Sequence, residues 1–276
     1  MIDLSAQAGS RVPPILRGKD YAAPSVFTPE SLLREARRQK RLAEGPVPPV
    51  CALDPDGDLV RHLAAQGRTQ PVAPWACYHT VLSRFSHRDI ECGIVGHAVG
   101  AAFAVLVAEE LFASGCRLLI SVTSAGQLAA IRPPPYFVLI DRALRDEGTS
   151  YHYLPPAEYS EASPALVAWA AQAVAGCPVR VERGGTWTTD APFRETEAAV
   201  GTGRAAGLLA VEMEAAALYA FARARRVPVV CFAYVTNRMG RLAGDFEKGE
   251  AEGARDALEL IAAVAARWSA EGGPEG

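Results

Sequence analysis

No run of apolar residues in this chain of 276 approaches the ~20 that a helix needs to cross a bilayer, so no membrane-spanning helix is expected. Basic charge is not in excess either. The 28 lysines and arginines stand against 31 acidic residues, for a net charge of −3 with the signs interspersed, which leaves no broad surface for nucleic acid. Residues Met1 to Ser10 lack a basic segment followed by an apolar core, so no secretory signal is expected. None of the six cysteines, at 51, 77, 92, 116, 177 and 231, belongs to a C-x-x-C pair, and no His–Cys cluster has metal-ligand spacing. The expectation is a cytoplasmic protein with reduced, buried thiols and neither metal nor cofactor. No internal repeat stands out.

Apolar residues make up half of the chain, enough to bury the core of one large α/β domain. Residues 1–49 differ from the rest. Pro13-Pro14, Pro24, Pro46 and Pro48-Pro49 surround one charged helical stretch, Pro29 to Ala43, with Thr28 placed to cap it and Pro29 at its first position. The cluster Arg34, Arg37, Arg38, Lys40 and Arg41 reads as a solvated face, or as an arm that packs on a neighbouring subunit or lends it a cation. Residues 50–276 form the expected domain. Strands are predicted at Val50–Leu53, about Tyr78–Phe85 and Asp89–Val95 as a hairpin, Arg117–Val122, Tyr136–Ile140, Val179–Arg183, Leu208–Val211 and Val227–Val235. Helices are predicted near Asp58–Gln66, Val99–Ser114, Leu166–Ala175, Glu195–Gly201, Met213–Arg225 and Glu247–Glu271. Strands alternating with helices give one mixed, partly parallel sheet covered on both faces.

The most informative segment is Val211-Glu212-Met213-Glu214-Ala215-Ala216-Ala217-Leu218-Tyr219, where an apolar run gives way to an alanine-rich helix. A helix start points N–H groups and the positive end of its dipole at what precedes it, which favours carboxylates there. A carboxylate can accept both hydroxyls of a cis-diol, and a thioether can pack on the carbon face of a sugar. The alternative for the acidic pair alone is an ordinary helix start. Three further segments precede it in order: Thr123-Ser124-Ala125-Gly126-Gln127-Leu128, Asp141 to Ser150, and Trp187-Thr188-Thr189-Asp190-Ala191-Pro192-Phe193-Arg194-Glu195-Thr196.

Together the four segments, spread over about residues 50–265, resemble the nucleoside phosphorylase and nucleosidase superfamily (purine nucleoside phosphorylase, uridine phosphorylase, methylthioadenosine nucleosidase). The resemblance implies a single α/β domain with a mixed central sheet flanked by helices, acting on a small-molecule nucleoside, with a homo-oligomer expected. It places Glu214 on the sugar hydroxyls, with Glu212 beside it and Met213 against the ribose. Ser124, Ala125 and Gly126 form the turn beside the sugar, and Trp187 stands where relatives put an aromatic ring against the base. Arg194 and Glu195 would touch the base edge or pair structurally. Asn237-Arg238 resembles the uridine phosphorylase subgroup, whose arginine reaches the pyrimidine carbonyl; purine-type relatives carry an aspartate near position 237.

The chain departs from the phosphorylases at the nucleophile. Their first loop, Gly-Asp-Pro-x-Arg, is matched by Leu53-Asp54-Pro55-Asp56-Gly57-Asp58, so the phosphate arginine falls on Gly57, and a second one falls on Ser121. Nucleosidases of this fold instead activate water with an acidic residue on the first loop, and Asp58 lies close to that position. Asp54, Asp56 and Asp58 also suit a plain turn and helix cap. His97, between Gly96 and Gly100, enters the site as a catalytic candidate or as a structural residue of its loop. His152 and Tyr153 border the segment that forms a pocket wall in relatives. Hydrolysis is therefore favoured over phosphorolysis. In a phosphorylase, phosphate would be a co-substrate, held by Arg84, Arg88 or a partner's arginines. A non-catalytic nucleoside binder is the third reading.

Overall fold

A computed structural model describes residues 12–239, 244–246 and 248–274. Met1–Ser10, expected to carry no secretory signal, lie outside the described residues, as does Glu247, where the last helix was expected to begin. In chain order the elements are α1 (Pro29–Lys40), β1 (Val50–Asp54), α2 (Asp58–Ala65), β2 (Gln70–Pro71), β3 (Leu82–His87), β4 (Ile90–Gly96) and α3 (Ala101–Ala113). They continue with β5 (Leu118–Gln127), β6 (Tyr136–Asp146), β7 (Tyr159–Glu161), α4 (Pro164–Val174), β8 (Val181–Thr189), α5 (Glu197–Ala205), β9 (Ala210–Glu212), α6 (Ala215–Arg225), β10 (Val229–Asn237) and α7 (Ala254–Glu271).

The expected mixed sheet is present, but it closes partly on itself. β4, β1, β5 and β10 lie side by side and parallel. β10 then pairs antiparallel with β6, β6 parallel with β8, β8 parallel with β9, and β9 returns antiparallel to β5. Those last five strands form a ring. The ring explains why three strands outrun their apolar cores. Polar motifs at Thr123–Gln127, Asp141–Asp146 and Trp187–Thr189 continue as strand because neighbours on the ring supply backbone hydrogen-bond partners.

Local signals set several boundaries. The Thr28 hydroxyl accepts the Ser31 N–H at 3.3 Å and α1 opens on Pro29. In the β3–β4 turn, Arg88 and Asp89 both take left-handed backbone, with φ of 49° and 61°, as a tight hairpin requires. The last helix starts at Ala254, later than its periodicity suggests. Gly253, at φ 75°, lies against the ring of Tyr234 and stops the helix from extending back.

Buried apolar residues line both faces of β1, β5 and β10 under α3, α4, α6 and α7, and α1 seats Leu33 and Ala36 with Ala76 in a smaller cluster. All six cysteines are free; five are buried and Cys177 is partly so. A hydrogen bond with Cys116, and then burial, hold the Cys51 thiol well above its ordinary range; burial does the same for Cys231 and pushes Cys92 up to about 12, so these are packing residues. No helix among the described residues is long and apolar enough to cross a membrane.

Candidate active site

Because β1, β4, β5 and β10 are parallel, their carboxyl ends deliver four segments to one edge of the sheet: Pro55–Asp58, His97–Gly100, Thr123–Gln127 and Asn237–Met239. Open α/β sheets bind ligands at such edges. β9 brings the acidic segment to the same place, since Val211 pairs with Gly126 and the chain then turns at Met213 into α6.

The two carboxylates of that segment do different work. Glu212, 3 % exposed, has both oxygens engaged within the fold. Oε2 accepts the N–H groups of Glu214 and Ala215 at 2.7 and 2.8 Å; Oε1 accepts the hydroxyls of Thr186 and Thr188 at 3.1 and 2.5 Å. Glu212 is therefore the cap of α6, and its expected place among substrate contacts is corrected to a supporting one. The Glu214 side chain, 1 % exposed, instead meets the loop segments gathered at this sheet edge. Its Oε1 accepts the Gly100 N–H at 2.7 Å, Oε2 accepts the Met213 N–H at 3.3 Å, and the Thr123 hydroxyl adds a further bond. Burial, reinforced by the negative charge of Glu212 and more weakly of Asp56, pushes the Glu214 carboxyl up to about 8, against the opposing pull of those donors. Met213 is half-buried beside it.

The acidic loop also divides its labour. Asp54 folds the loop back on itself by accepting the Val60 N–H at 2.9 Å, and burial raises its carboxyl to about 7. Asp58, expected to activate water, instead starts α2 with its carboxylate held by Lys248 and Arg61. Each of its oxygens is thus engaged by a cation, which places Asp58 in an ion-pair network at the helix start rather than in the position expected of a base that activates water. The carboxylate that reaches the sheet edge is Asp56: its Oδ2 accepts the Ser124 N–H at 2.7 Å. Sequence reading had grouped Asp56 with its neighbours, and only the backbone geometry of the loop separates the three.

Gly57 is the pivot. Its φ is 78°, and a Cβ there would lie 2.1–2.7 Å from three atoms of the His97 imidazole. His97 itself takes a left-handed backbone at φ 60° and donates its N–H to the Asp54 carbonyl at 3.1 Å. No side chain, and so no phosphate-binding arginine, fits at position 57 while His97 is in place. Gly57→Ala is expected to lower stability by roughly 2–4 kcal/mol, combining the left-handed backbone with the steric conflict. Adding His97→Ala should recover only the steric part; thermal melting of the single and double variants checks this, and an unshifted midpoint for Gly57→Ala would refute it.

The other phosphate position, Ser121, is 1 % exposed between Leu53 and Cys231 in mid-sheet. The substitute cations are engaged elsewhere, Arg84 with Glu91 at 3.3 Å and Arg88 with Glu259 at 2.7 Å. On α1, Arg34 and Arg38 flank Glu35 on the surface, as a solvated face does.

The expected base contacts split. Trp187 is buried at 4 %, clustered with Leu128, Val200, Leu208 and Val211, and its indole N–H donates to Asp146 at 3.0 Å. Its faces are thus covered by side chains. Asn237 spends its amide internally, Oδ1 accepting the Met239 N–H at 2.9 Å and Nδ2 donating to Thr236 at 3.2 Å. Ala125 is buried, Ser124 and Gly126 are half-buried, and Arg194 and Arg238 are exposed. Of the pocket-wall candidates, Tyr153 donates to Glu109 of α3 at 3.0 Å, and exposed His152 meets Lys19 of the N-terminal arm at 2.8 Å.

Comparison with known proteins decides the family. The phosphorylase superfamily profile matches residues 39–267. The chain belongs to the phosphorylase superfamily. As a member of it, the chain is an enzyme of this superfamily. No curated protein sequence matches it significantly. Among solved structures it is similar to uridine phosphorylase from Vibrio fischeri ES114 in complex with 6-hydroxy-1-naphthoic acid, with TM-score 0.67 and 21% identity over 79% of this chain and 90% of that one. It is also similar to purine nucleoside phosphorylase from Toxoplasma gondii in complex with immucillin-H, with TM-score 0.68 and 16% identity over 81% and 92% of the two chains. At these identities the likeness is one of fold, and it agrees with the single α/β domain expected from the sequence.

Proposed function

We propose that this superfamily member cleaves the N-glycosidic bond of a nucleoside with water as the nucleophile. The observation that carries the choice of water is the Asp56 carboxylate seated on the Ser124 N–H, beside a Gly57 whose open face is filled by His97. A phosphate dianion arriving there would meet a resident anion and no arginine at either family position. Like charges ~4 Å apart cost about 4 kcal/mol at an effective dielectric near 20.

In this reading Glu214, ionised, accepts the 2′- and 3′-hydroxyls, exchanging its bond to Met213 for the sugar, while Met213 packs on the ribose. Asp56 takes a proton from water as the oxygen bonds to C1′. The electron pair of the C1′–N bond leaves with the base, which is then protonated. Buried carboxylate charge near the sugar also stabilises the positive charge that develops on the ring. His97 acts as a positioning residue, holding Gly57 and hence the Asp56 carboxylate. Arg238, exposed at the end of β10, would meet a base carbonyl.

Product analysis tests the proposal. A panel of purine and pyrimidine nucleosides should yield free base and free sugar at a rate that added phosphate does not raise. Sugar 1-phosphate formed only with phosphate would transfer the protein to the phosphorylases, and no product from any nucleoside would leave a binding protein.

A further inference from the structure

Four residues lie in one row across the ring: Trp187 pairs with Val211, Val211 with Gly126, and Gly126 with Asn237. Paired residues on adjacent strands project to the same side, so this row is one surface. At Gly126 the surface is bare backbone. The atom that lies there is the Met239 sulfur, 2.6 Å from where a Cβ would be, with Val211 Cγ1 at 3.3 Å and Asn237 Oδ1 at 3.4 Å. Met239 holds this position at φ 71°, a left-handed backbone that costs a non-glycine residue about 1–2 kcal/mol. Two things hold it there: the Asn237 carbonyl accepts its N–H, and its side chain packs against the cluster containing Trp187 and Val211.

We propose that Met239 determines which bases the site admits, its thioether acting as a movable cover over the Gly126 surface. The proposal rests on reading this edge as a nucleoside site. Strained backbone positions cluster at ligand clamps and active sites, where the surrounding structure holds them. Methionine is suited to the task, being unbranched, with three rotatable bonds and a polarisable sulfur that packs on aromatic rings. A base can lie on Gly126 only where the sulfur now is. A single ring needs the thioether pushed to its edge, whereas a fused double ring needs it removed altogether. Asn237, with both ends of its amide in use, contributes by fixing Met239, and the choice between one ring and two becomes a matter of packing volume. The substrate class that follows is a nucleoside with a single-ring, pyrimidine-type base.

The test is the dissociation constants of uracil and hypoxanthine, by calorimetry, for the wild type, Met239→Ala and Met239→Leu. The wild type should favour uracil. Met239→Ala should move the ratio about tenfold toward hypoxanthine, in the range a few methylenes of pocket volume provide, and Met239→Leu should stay near the wild type. Uridine and inosine turnover should follow the same order. Met239→Gly separates a structural role, since it relieves the left-handed backbone: a raised melting temperature with an unmoved base ratio in both Gly and Ala variants would overturn the proposal. Binding of both bases with the ratio unmoved overturns the role of Met239 alone. Failure of the wild type to bind either base or cleave any nucleoside overturns the nucleoside reading itself, and this proposal with it.

Discussion

Glu214→Ala is expected to lower kcat/KM for any nucleoside substrate by about 10²–10⁴-fold, because it removes two hydrogen bonds to a charged acceptor, each contributing about 1.5–3 kcal/mol. The same residue gives a pH signature. Its carboxyl lies near 8 in the folded protein and at 4.5 when unperturbed, and only the ionised form accepts both hydroxyls of a diol. The free enzyme should therefore gain kcat/KM as pH rises toward about 8 and level off above it, and Glu214→Gln should lack that limb. Stability runs the other way. The folded protein holds a proton on Glu214 that the unfolded chain has released between about 4.5 and about 8, so stability falls as pH rises through that window. Glu214→Gln, which carries no charge to bury, should melt higher than the wild type at pH 8. Low activity in Glu214→Gln with a pH limb identical to the wild type would show that another group titrates, and full activity in Glu214→Ala would remove the sugar assignment.

Most of the fold was legible because hydrophobic runs and caps act locally. Thr28-Pro29 opens α1 and the run Val229–Val235 is a wholly buried strand, as their residue types dictate. What escaped is non-local. The strand extensions through Thr123–Gln127 and Trp187–Thr189 depend on ring closure between β5 and β9, a pairing of distant segments that periodicity does not encode. The site behaved alike. The placement of Glu214 at the start of α6 was legible, because a helix start after an apolar strand fixes where such residues go, whereas Ser124, Ala125 and Gly126, expected as a turn, continue as strand in β5. The division of labour within Glu212/Glu214 and within Asp54/Asp56/Asp58 could not, since each choice turns on a partner far along the chain. Thr186 and Thr188 claim Glu212, Lys248 claims Asp58, and Ser124 receives Asp56. Trp187 carried an ambiguous signal. An aromatic ring at a motif position is equally suited to stacking on a base and to filling a core, and the cluster with Leu128 and Val211 placed it in the core.

The second large effect falls on Asp56. Asp56→Asn should lower the rate of hydrolysis by about 10²–10⁴-fold, the usual contribution of a positioned general base. The change keeps the shape and leaves a carbonyl oxygen able to accept the Ser124 N–H, so the loop should stay folded and the melting temperature near that of the wild type. It also removes one of the negative charges that hold the Glu214 carboxyl up, so the pH limb should move to lower pH in this variant. That shift reports only the charge lost beside Glu214; the melting temperature separates the roles, since a residue that merely shapes the loop would lose activity together with stability, and a base would lose activity alone. Asp58→Asn makes the contrasting control. Asp58 is held by Lys248 and Arg61, so its loss should reduce thermal stability while leaving the hydrolytic rate within a few fold. If Asp58→Asn abolishes turnover and Asp56→Asn does not, the base lies on the other side of Gly57, and the hydrogen bond from Ser124 is only a brace for the loop.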